Sequence, residues 1–425
     1  MSALIQQLSR YVAIPSVSKQ EAALADAAAA DLHAAGLRVQ RQGNNVWCEL
    51  GDAPRPRLLL NSHLDTVPAA AGWWHDPWQP QVSDGRLSGL GANDAKGCVV
   101  AMIAATLAVH GRLARGGNLG GTLVLALTAE EETSGAGLST ILDRLRPLDA
   151  ALVGEPTGLT PMIAQRGLLI LRGVARGRAA HPANMPPESA DNAIQRAAAA
   201  LQRLHEFDWG PEHPLLGRCH GHVTRIVGGT ALNVIPDTCE FWLDIRTVPG
   251  ESHQQLYERL RGFLCQLDRV LGGSVESSSP PPRPSQRGGA PGALEGGGAP
   301  GAEEHWQQAA SGTHVAAARR GGCSPGKAAD GAIKLHIHSE RLVPVETCPE
   351  TPIVQAVLRA LPGSRLAGSP AMSDMVFLAG VPAVKIGPGD TRRSHTPDEY
   401  VTVDELSAGM AAYERIVCEY FGKPT

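Results

Sequence analysis

Residues 96–128 read KGCVVAMIAATLAVHGRLARGGNLGGTLVLALT, two apolar runs separated by a glycine-rich stretch. The first run, 98–109, falls well short of the roughly 20 residues needed to cross a bilayer, so it predicts a buried helix that begins near Lys96. The second run, 121–128, predicts a buried strand. A buried helix that leads into a buried strand is typical of an α/β fold.

Similar patterns lie on both sides of this stretch. Residues 57–61 and 150–153 predict two more strands, while 3–36 carry apolar positions at helical spacing until Gly36. Alternating strands and helices favour a doubly wound, mostly parallel sheet that is covered on both faces. We therefore predict an α/β domain built around such a sheet.

The pattern changes from about Gly167 onward. The predicted order there is strand 168–176, helix 189–205, strands 222–227 and 238–246, helix 251–267 and strand 333–338. This order indicates a smaller α+β domain inserted into the first. A helix at 351–361, a strand at 383–386 and a helix at 403–420 then return to the α/β domain. The predicted boundaries are 1–166 and 342–425 for the two parts of the α/β domain and 167–341 for the inserted domain.

Residues 280–331 have an unusual composition. They hold seven Pro and twelve Gly in fifty-two positions, and Leu294 and Val315 are their only aliphatic residues larger than Ala. Such a segment buries too little apolar surface to offset the entropy of ordering it. We therefore predict a disordered surface excursion at about 278–331 that carries no chemistry. A sequence or reading-frame error would produce the same segment, because the helix before it and the strand after it would form one continuous helix-to-strand connection without it.

The overall charge argues against several function classes. The chain has 38 Lys and Arg against 42 Asp and Glu among 425 residues, a net charge of −4, so it lacks the basic field that attracts nucleic acid or anionic lipid. Its eight cysteines form no C-x-x-C pair, which argues against a zinc knuckle or a redox motif. The N-terminal residues lack a signal-peptide pattern, and we expect a cytoplasmic protein without nucleic-acid or membrane partners.

Polar residues follow the predicted strands, at the edge where open α/β sheets bind their ligands. The segment NSHLDTVP places His63 and Asp65 two residues apart, so that Asp65 can hold the imidazole of His63 in one tautomer. The segment GLGANDAKG places Asp94 directly before the buried helix. Each segment alone also fits a plainer interpretation, a satisfied loop hydrogen bond for the first and turn chemistry for the second.

Acidic residues and a late histidine complete the pattern. The segment TAEEETSGAG contains Glu130, Glu131 and Glu132, which repel one another unless cations or solvent screen them. The segment GEPTG contains Glu155, and GPGDTRRSHTPDEY contains His395. A solvated acidic loop explains the three glutamates alone. Together, however, the segments bring two histidines and several carboxylates to one edge of the predicted sheet.

These motifs, taken together, resemble the family of two-metal zinc aminoacylases and carboxypeptidases, which includes acetylornithine deacetylase, succinyl-diaminopimelate desuccinylase and related dipeptidases. They occur in the family's order, H-x-D, D-x-K-G, E-E, G-E-P-T and a late His, and the resemblance covers nearly the whole chain apart from the excursion. It implies that His63, Asp94 and Glu155 bind one zinc ion and that Asp94, Glu132 and His395 bind the other. Asp94 would then bridge the two ions.

The resemblance also implies roles for residues around these ligands. Glu131 matches the residue that takes a proton from the attacking water, Asp65 matches the one that orients His63, and Glu130 has no assigned role. The peptide bond at Asp94–Ala95 is expected to be cis. Independently, mixed imidazole and carboxylate ligation suits Zn²⁺ and also Co²⁺ or Mn²⁺. Four carboxylates, including Glu131, balance the four positive charges of two such ions.

In the inserted domain, the resemblance implies a lid that also forms a homodimer. His181 matches a lid histidine that stabilises the oxyanion, often from the partner subunit. Asn233 and Arg246 match positions that contact the substrate's carboxylate. The plainer alternatives are a satisfied surface histidine at 181 and a structural ion pair between Arg246 and Asp244.

The substrate is expected to be a small N-acyl-L-amino acid. The lid's ERLVPVETCPETPIV and the tail MSDMVFLAGVPAVKIGPGDTRRSHTPDEYV resemble the acylornithine deacylase branch. The resemblance implies hydrolysis of N-acetylornithine, N-acetylcitrulline or N-succinylornithine in arginine biosynthesis. Arg392 and Arg393 are candidates for recognising a succinyl carboxylate, and a solvated surface pair is the plainer alternative. A dipeptidase or carboxypeptidase, or a metal-binding scaffold without activity, remains the alternative. The intact Glu131 argues against the scaffold, since binding alone needs no proton carrier.

Overall fold

A computed structural model describes residues 2–187, 190–272 and 333–422 of the chain. The excursion predicted at about 278–331 lies outside these residues. The described helices are α1 Ala3–Val12, α2 Ala22–Ala34, α3 Lys96–Ala114, α4 Ala136–Leu145, α5 Ala193–Gln202, α6 His253–Gly272, α7 Pro352–Ala360 and α8 Val403–Tyr420. The described strands are β1 Val39–Gln42, β2 Asn45–Gly51, β3 Arg57–His63, β4 Gln81–Ser83, β5 Arg86–Ser88, β6 Thr122–Thr128, β7 Ala150–Val153, β8 Met162–Gln165, β9 Gly167–Arg176, β10 His220–Gly228, β11 Thr238–Thr247, β12 Ile333–Leu342, β13 Val345–Glu346, β14 Ala367–Ser369, β15 Ala383–Lys385 and β16 Tyr400–Thr402.

The larger sheet has the strand order β1-β2-β6-β3-β7-β15-β8-β13, with β14 paired to β8. Its centre is parallel, because β3 pairs with β6 on one side and with β7 on the other, and β7 pairs with β15. The β1–β2 hairpin extends one edge in the antiparallel sense. The sheet is therefore mostly parallel, which confirms the predicted fold class.

Helices cover both faces of this sheet because its central strands are apolar on both sides. Leu58 and Leu60 of β3 pack in a core that includes side chains of α1, α2, α3, α7 and α8. Leu59, between them, faces the opposite side and packs with side chains of α4. Successive side chains of a strand point to opposite faces, so one continuous apolar run fills two layers of core.

Helix α3 begins at Lys96, as the sequence predicts. Among the described residues it is the one helix long and apolar enough to span a membrane. Its residues from Lys96 to Ile103 are all buried, and it packs against α8 and the central strands. Its apolar composition therefore reflects its position in the protein core.

A second, antiparallel sheet has the strand order β10-β11-β9-β12. Alternate side chains of its strands, such as Phe241 and Leu243, pack with side chains of α5 and α6. The chain passes from β8 into β9 and returns from β12 to β13, which pairs with β8. This smaller α+β unit is thus inserted between two strands of the larger sheet. Strands β16, β5 and β4 form a small third sheet.

The helix predicted at 189–205 is shorter in the structure. Helix α5 begins at Ala193 because the side chain of Asn192 accepts hydrogen bonds from the backbone N–H groups of Ile194 (2.9 Å) and Gln195 (3.3 Å). It ends at Gln202, and a 3₁₀ turn, Arg203–Glu206, follows. Residues 188–189 lie outside the part of the chain that the structure describes.

Candidate metal centre

The predicted metal ligands and the predicted proton carrier, Glu131, lie at one edge of the larger sheet. They are His63 at the end of β3, Glu131 and Glu132 after β6, Glu155 after β7, Asp94 before α3, and His395 between β15 and β16. Strands β6, β3 and β7 are parallel neighbours, so their carboxyl ends meet at the same edge. The loops that follow these strands therefore bring distant residues together.

One group of side chains that could hold a metal ion consists of His63, Asp94 and Glu155. The Nε2 atom of His63 lies 3.2 Å from Oδ1 of Asp94 and 3.8 Å from Oε1 of Glu155. His63 and Glu155 are buried. An imidazole nitrogen and two carboxylate oxygens at one point form a donor set that suits a divalent transition metal.

A second such group consists of Asp94, Glu132 and His395. The Nε2 atom of His395 lies 2.9 Å from Oε1 of Glu132 and 3.7 Å from Oδ2 of Asp94. Asp94 thus belongs to both groups, with Oδ1 toward His63 and Oδ2 toward His395. This arrangement fits a carboxylate that bridges two ions.

Glu131 lies beside the two groups. Its carboxylate, with ligand atoms of His63 and Glu132, forms a third set whose atoms all lie within 4.8 Å of one another. Glu131 itself is half-buried, so a small molecule can reach it. The structure therefore places this side chain where it can contact a group held between the two metal-binding sets.

Asp65 does more than the sequence suggests. Its backbone carbonyl oxygen, 3.0 Å from Nδ1 of His63, makes the closer contact with the imidazole, and its Oδ1 atom lies 3.5 Å from the same nitrogen. The carboxylate also accepts hydrogen bonds from the backbone N–H groups of Glu131 and Glu132, both at 3.0 Å, and from the hydroxyl of Ser18 at 2.6 Å. Asp65 thus ties the end of β3 to the loop after β6.

The electrostatics of the site reflect carboxylates crowded into a poorly hydrated space. Burial, reinforced by the charges of Asp94 and Glu132, raises the pKa of Glu155 to about 8. Burial and the charge of Glu155 likewise raise the pKa of Glu131 well above its ordinary value. The hydrogen bond with Glu132 raises the pKa of His395 to about 9. Like charges at this density favour bound cations, so the donor set and its charge both fit two divalent ions.

The loop that carries Asp94 is held by a residue that the sequence reasoning missed. Oε1 of Glu399, which is buried, accepts hydrogen bonds from the backbone N–H groups of Asn93 and Asp94, both at 2.9 Å. Burial and the charge of Asp94 raise the pKa of Glu399 to about 8. The peptide bond Asp94–Ala95 is cis, which confirms that prediction. Glu399 stands four residues after His395, but no spacing rule distinguishes it from Asp398.

The remaining predicted residues lie in the inserted unit. Nδ1 of His181 accepts a hydrogen bond from the N–H of Ala183 at 3.2 Å. An antiparallel bridge between Ala180 and Ile235 brings the segment of His181 beside that of the exposed Asn233. Both contacts lie within the inserted unit, and His181 belongs to none of the candidate metal-binding groups.

Arg246 has a carboxylate partner on its own strand. Its guanidinium pairs with Asp244 through contacts of 2.8 and 3.2 Å. This contact is the structural ion pair that the sequence left open. Arg392, one candidate for recognising a succinyl group, is paired with Asp390 at 2.6 Å, and its side chain is 90% exposed. Arg393, the other candidate, is paired with Glu405 at 2.8 Å. All three arginines therefore already have an intramolecular partner for their charge.

Comparisons with known proteins identify relatives over most of the chain. Residues 59–419 match the profile of Peptidase family M20/M25/M40. The chain is 31% identical to the succinyl-diaminopimelate desuccinylase of Halorhodospira halophila over 281 residues, covering 62% of this chain and 73% of that protein. It is 29% identical to the acetylornithine deacetylase of Edwardsiella ictaluri over 426 residues, covering 92% and 91%.

A solved structure shows the same fold. The YXEP protein of Bacillus subtilis, described as a dinuclear metal-binding peptidase of the M20 family, superimposes with a TM-score of 0.66 at 16% identity, covering 97% of this chain and 96% of that one. The likeness extends through both the larger sheet and the inserted unit.

Proposed function

The chain belongs to the M20/M25/M40 peptidase family, and we propose that it is an N-acyl-L-amino-acid deacylase that uses two bound metal ions. Metal-dependent aminoacylases and peptidases share this family, so the amide bond is the common target. The observation that carries the proposal is Asp94, whose two oxygens face His63 and His395. Zn²⁺ is the proposed metal, and Co²⁺ or Mn²⁺ fit the same donors.

The residues proposed to hold the ions are those of the two groups described above. When bound, two such ions would polarise the carbonyl of an amide and lower the pKa of a water molecule at the site. Glu131 is proposed to take the proton from that water and later deliver it to the leaving amine, a role that suits its position beside His63 and Glu132. Asp65 and Glu399 hold the loops that carry Glu131 and Asp94.

We propose that the inserted unit spans residues 167–341, acts as a lid and forms a homodimer. Strand β10 lies at an edge of its sheet, and the exposed fractions of Val223, Ile226 and Val227 are 41%, 50% and 49%. An exposed apolar edge strand readily pairs with another chain. A second copy that pairs along β10 would cover these side chains. His181 would then stabilise the oxyanion in the partner's site, with Asn233 and Arg246 binding the substrate's carboxylate.

The proposed substrates are N-acetylornithine, N-acetylcitrulline and N-succinylornithine. The enzyme is proposed to act in the cytoplasm, as part of arginine biosynthesis. Matches to an acetylornithine deacetylase and to a succinyl-diaminopimelate desuccinylase support a small acyl group on an amino acid. A dipeptidase or carboxypeptidase remains the second candidate, because the family also includes peptidases. The two differ in the group on the carbonyl side of the bond, an acyl chain or an amino acid.

An activity panel tests the proposal. Metal-reconstituted protein is assayed for kcat/KM on the three acyl amino acids, on N-succinyl-diaminopimelate and on dipeptides, with Glu131→Gln as control. We expect fastest cleavage of one acylated ornithine or citrulline, and a loss in kcat of about 100- to 10,000-fold in the variant. Fastest cleavage of a dipeptide would favour the second candidate. Full activity of Glu131→Gln would contradict the role of Glu131.

A further inference from the structure

Three consecutive backbone N–H groups in the loop after β6 are held by two carboxylates. The N–H of Glu130 donates to Oε1 of Glu21 at 3.1 Å, and those of Glu131 and Glu132 donate to Oδ1 and Oδ2 of Asp65. Asp65 follows β3, but Glu21 lies near the amino end of the chain, at the start of α2. The loop is thus held by carboxylates from two segments that are distant in the chain.

Glu130 is the residue where the chain turns out of the sheet. Its φ of +58° lies in the left-handed region, which residues other than glycine and asparagine rarely adopt. The carbonyl of Glu130 accepts hydrogen bonds from the N–H groups of Ser134 (3.1 Å) and Gly135 (2.6 Å), which closes the turn. A hydrogen bond to the N–H of Glu130 therefore fixes the conformation from which Glu131 and Glu132 project.

The surroundings of Glu21 favour its hydrogen bond with the N–H of Glu130. Its side chain is fully buried, and its other partners are also donors, the N–H of Lys19 at 2.7 Å and the side-chain amide of Asn44 at 2.9 Å. A buried carboxylate is costly unless it is fully hydrogen-bonded. Its place in the core thus depends on these donors, and one of them belongs to the loop of the proposed base.

The segment before Glu21 is itself fastened to the end of β3. The N–H of Ser18 donates to the carbonyl of Thr66 at 3.1 Å, and the N–H of Thr66 donates to the carbonyl of Ser16 at 2.9 Å. The hydroxyl of Ser18 reaches Oδ2 of Asp65. Glu21 and Asp65 are consequently held in one hydrogen-bonded network. A change at Glu21 removes the bond that this network makes to the N–H of Glu130.

We propose that Glu21 is a positioning residue that sets the orientation of Glu131 through the backbone of Glu130. Its hydrogen-bond donors are Lys19, Asn44 and Glu130, none of which belongs to the candidate metal-binding groups, and only the bond to Glu130 reaches the loop. The proposal rests on the proposed function only for the role of Glu131 as proton carrier. Loss of the acceptor frees the left-handed turn, and Glu131 then spends less time in its productive position.

The experiment compares three variants of the metal-loaded full chain. Glu21→Ala removes the acceptor. Glu21→Gln keeps an oxygen for the N–H groups of Lys19 and Glu130, while the half-buried Asn44 can turn its amide to match. Asp52→Ala is the matched control, because Asp52 accepts hydrogen bonds from the N–H groups of residues 119–121 at the opposite end of β6. The measurements are kcat, KM, bound metal, melting temperature and hydrogen–deuterium exchange of the peptide 128–135.

We expect Glu21→Ala to lower kcat by about 10- to 100-fold with KM and bound metal little changed, since misplacement of a catalytic group by about 1 Å has effects of this size. Exchange in peptide 128–135 should be faster in this variant alone, and Glu21→Gln should restore most of kcat. Equal losses of kcat in Glu21→Ala and Asp52→Ala would overturn the proposal. So would unchanged exchange in 128–135, a result that decides it even if the wild type cleaves none of the substrates and the proposed function fails.

Discussion

His63 and Asp94 stand 31 positions apart in the chain, yet Nε2 of His63 lies 3.2 Å from Oδ1 of Asp94. The contact joins the end of β3 to the start of α3, the two elements that the apolar pattern predicts most directly. The other oxygen of Asp94 faces His395. A single carboxylate thus connects two groups of side chains that could each hold a metal ion, and the first prediction follows from that position.

Asp94→Asn is expected to weaken metal binding at both sites. The substitution keeps the size of the side chain but removes the negative charge that both ions would share. Metal content after dialysis, measured by mass spectrometry, should fall from two ions per chain to one or none. Asp398→Asn, an equivalent change at an exposed position of the loop after His395, should retain two. Equal metal content in the two variants would contradict the bridging role.

Glu399→Ala is expected to lower metal affinity although Glu399 belongs to neither metal-binding group. The variant leaves the N–H groups of Asn93 and Asp94 without their shared acceptor. Residues that orient a ligand typically contribute about 10- to 100-fold in affinity, which is the loss we expect from competition with a chelator. Glu399→Gln keeps an acceptor oxygen and should lose much less. Equal losses in both variants would point to the charge of Glu399 instead.

Metal binding is expected to release protons at neutral pH. The pKa of Glu155 is raised to about 8 and that of His395 to about 9, so both groups are protonated at pH 7 before a metal binds. A metal ion takes the deprotonated form, so apparent affinity should rise with pH up to about 9. The hydrogen bonds of His63 with Asp65 and Asp94 raise its pKa well above its ordinary value as well, so calorimetry in buffers of different ionisation enthalpy should give two or more protons released per two ions at pH 7. A heat independent of the buffer would exclude this coupling.

Val223→Lys is expected to convert a dimer into a monomer. Val223 is 41% exposed on the edge strand β10, and a buried lysine there would oppose pairing with a second copy. Light scattering measures the mass of each variant. The kcat of Val223→Lys should fall along with its mass if His181 acts in the partner's site. Val82→Lys introduces the same change at a side chain that is also 41% exposed, in the small third sheet. A wild type that is monomeric at assay concentrations would exclude the dimer.

The sequence predicts most of the metal-binding groups for a simple physical reason. Apolar runs predict β3, β6 and β7, and parallel neighbours end at one edge, so residues that directly follow those runs must meet. His63, Glu132 and Glu155 are of this kind. The resemblance supplied the ligand roles of all five residues, including Asp94 and His395, and the structure groups their side chains.

The supporting residues could not be predicted in the same way. Glu399 contacts the backbone of a residue 305 positions away, and Glu21 holds one 109 positions away. Carboxylates that accept hydrogen bonds from a distant backbone leave no periodic pattern in a sequence. The strands β4, β5 and β16 were missed because runs of three residues are too brief to stand out from loops. Strand β2 was missed although it has seven residues, because its apolar run, Val46–Cys48, covers only three of them.

Anomalous diffraction from crystals of the zinc-loaded protein tests the central claim most directly. Two peaks should flank Asp94, each roughly 2.0–2.2 Å from one of its carboxylate oxygens, one also bound by His63 and Glu155 and the other by Glu132 and His395. A single peak, or two peaks that do not share Asp94, would contradict the proposed two-metal centre.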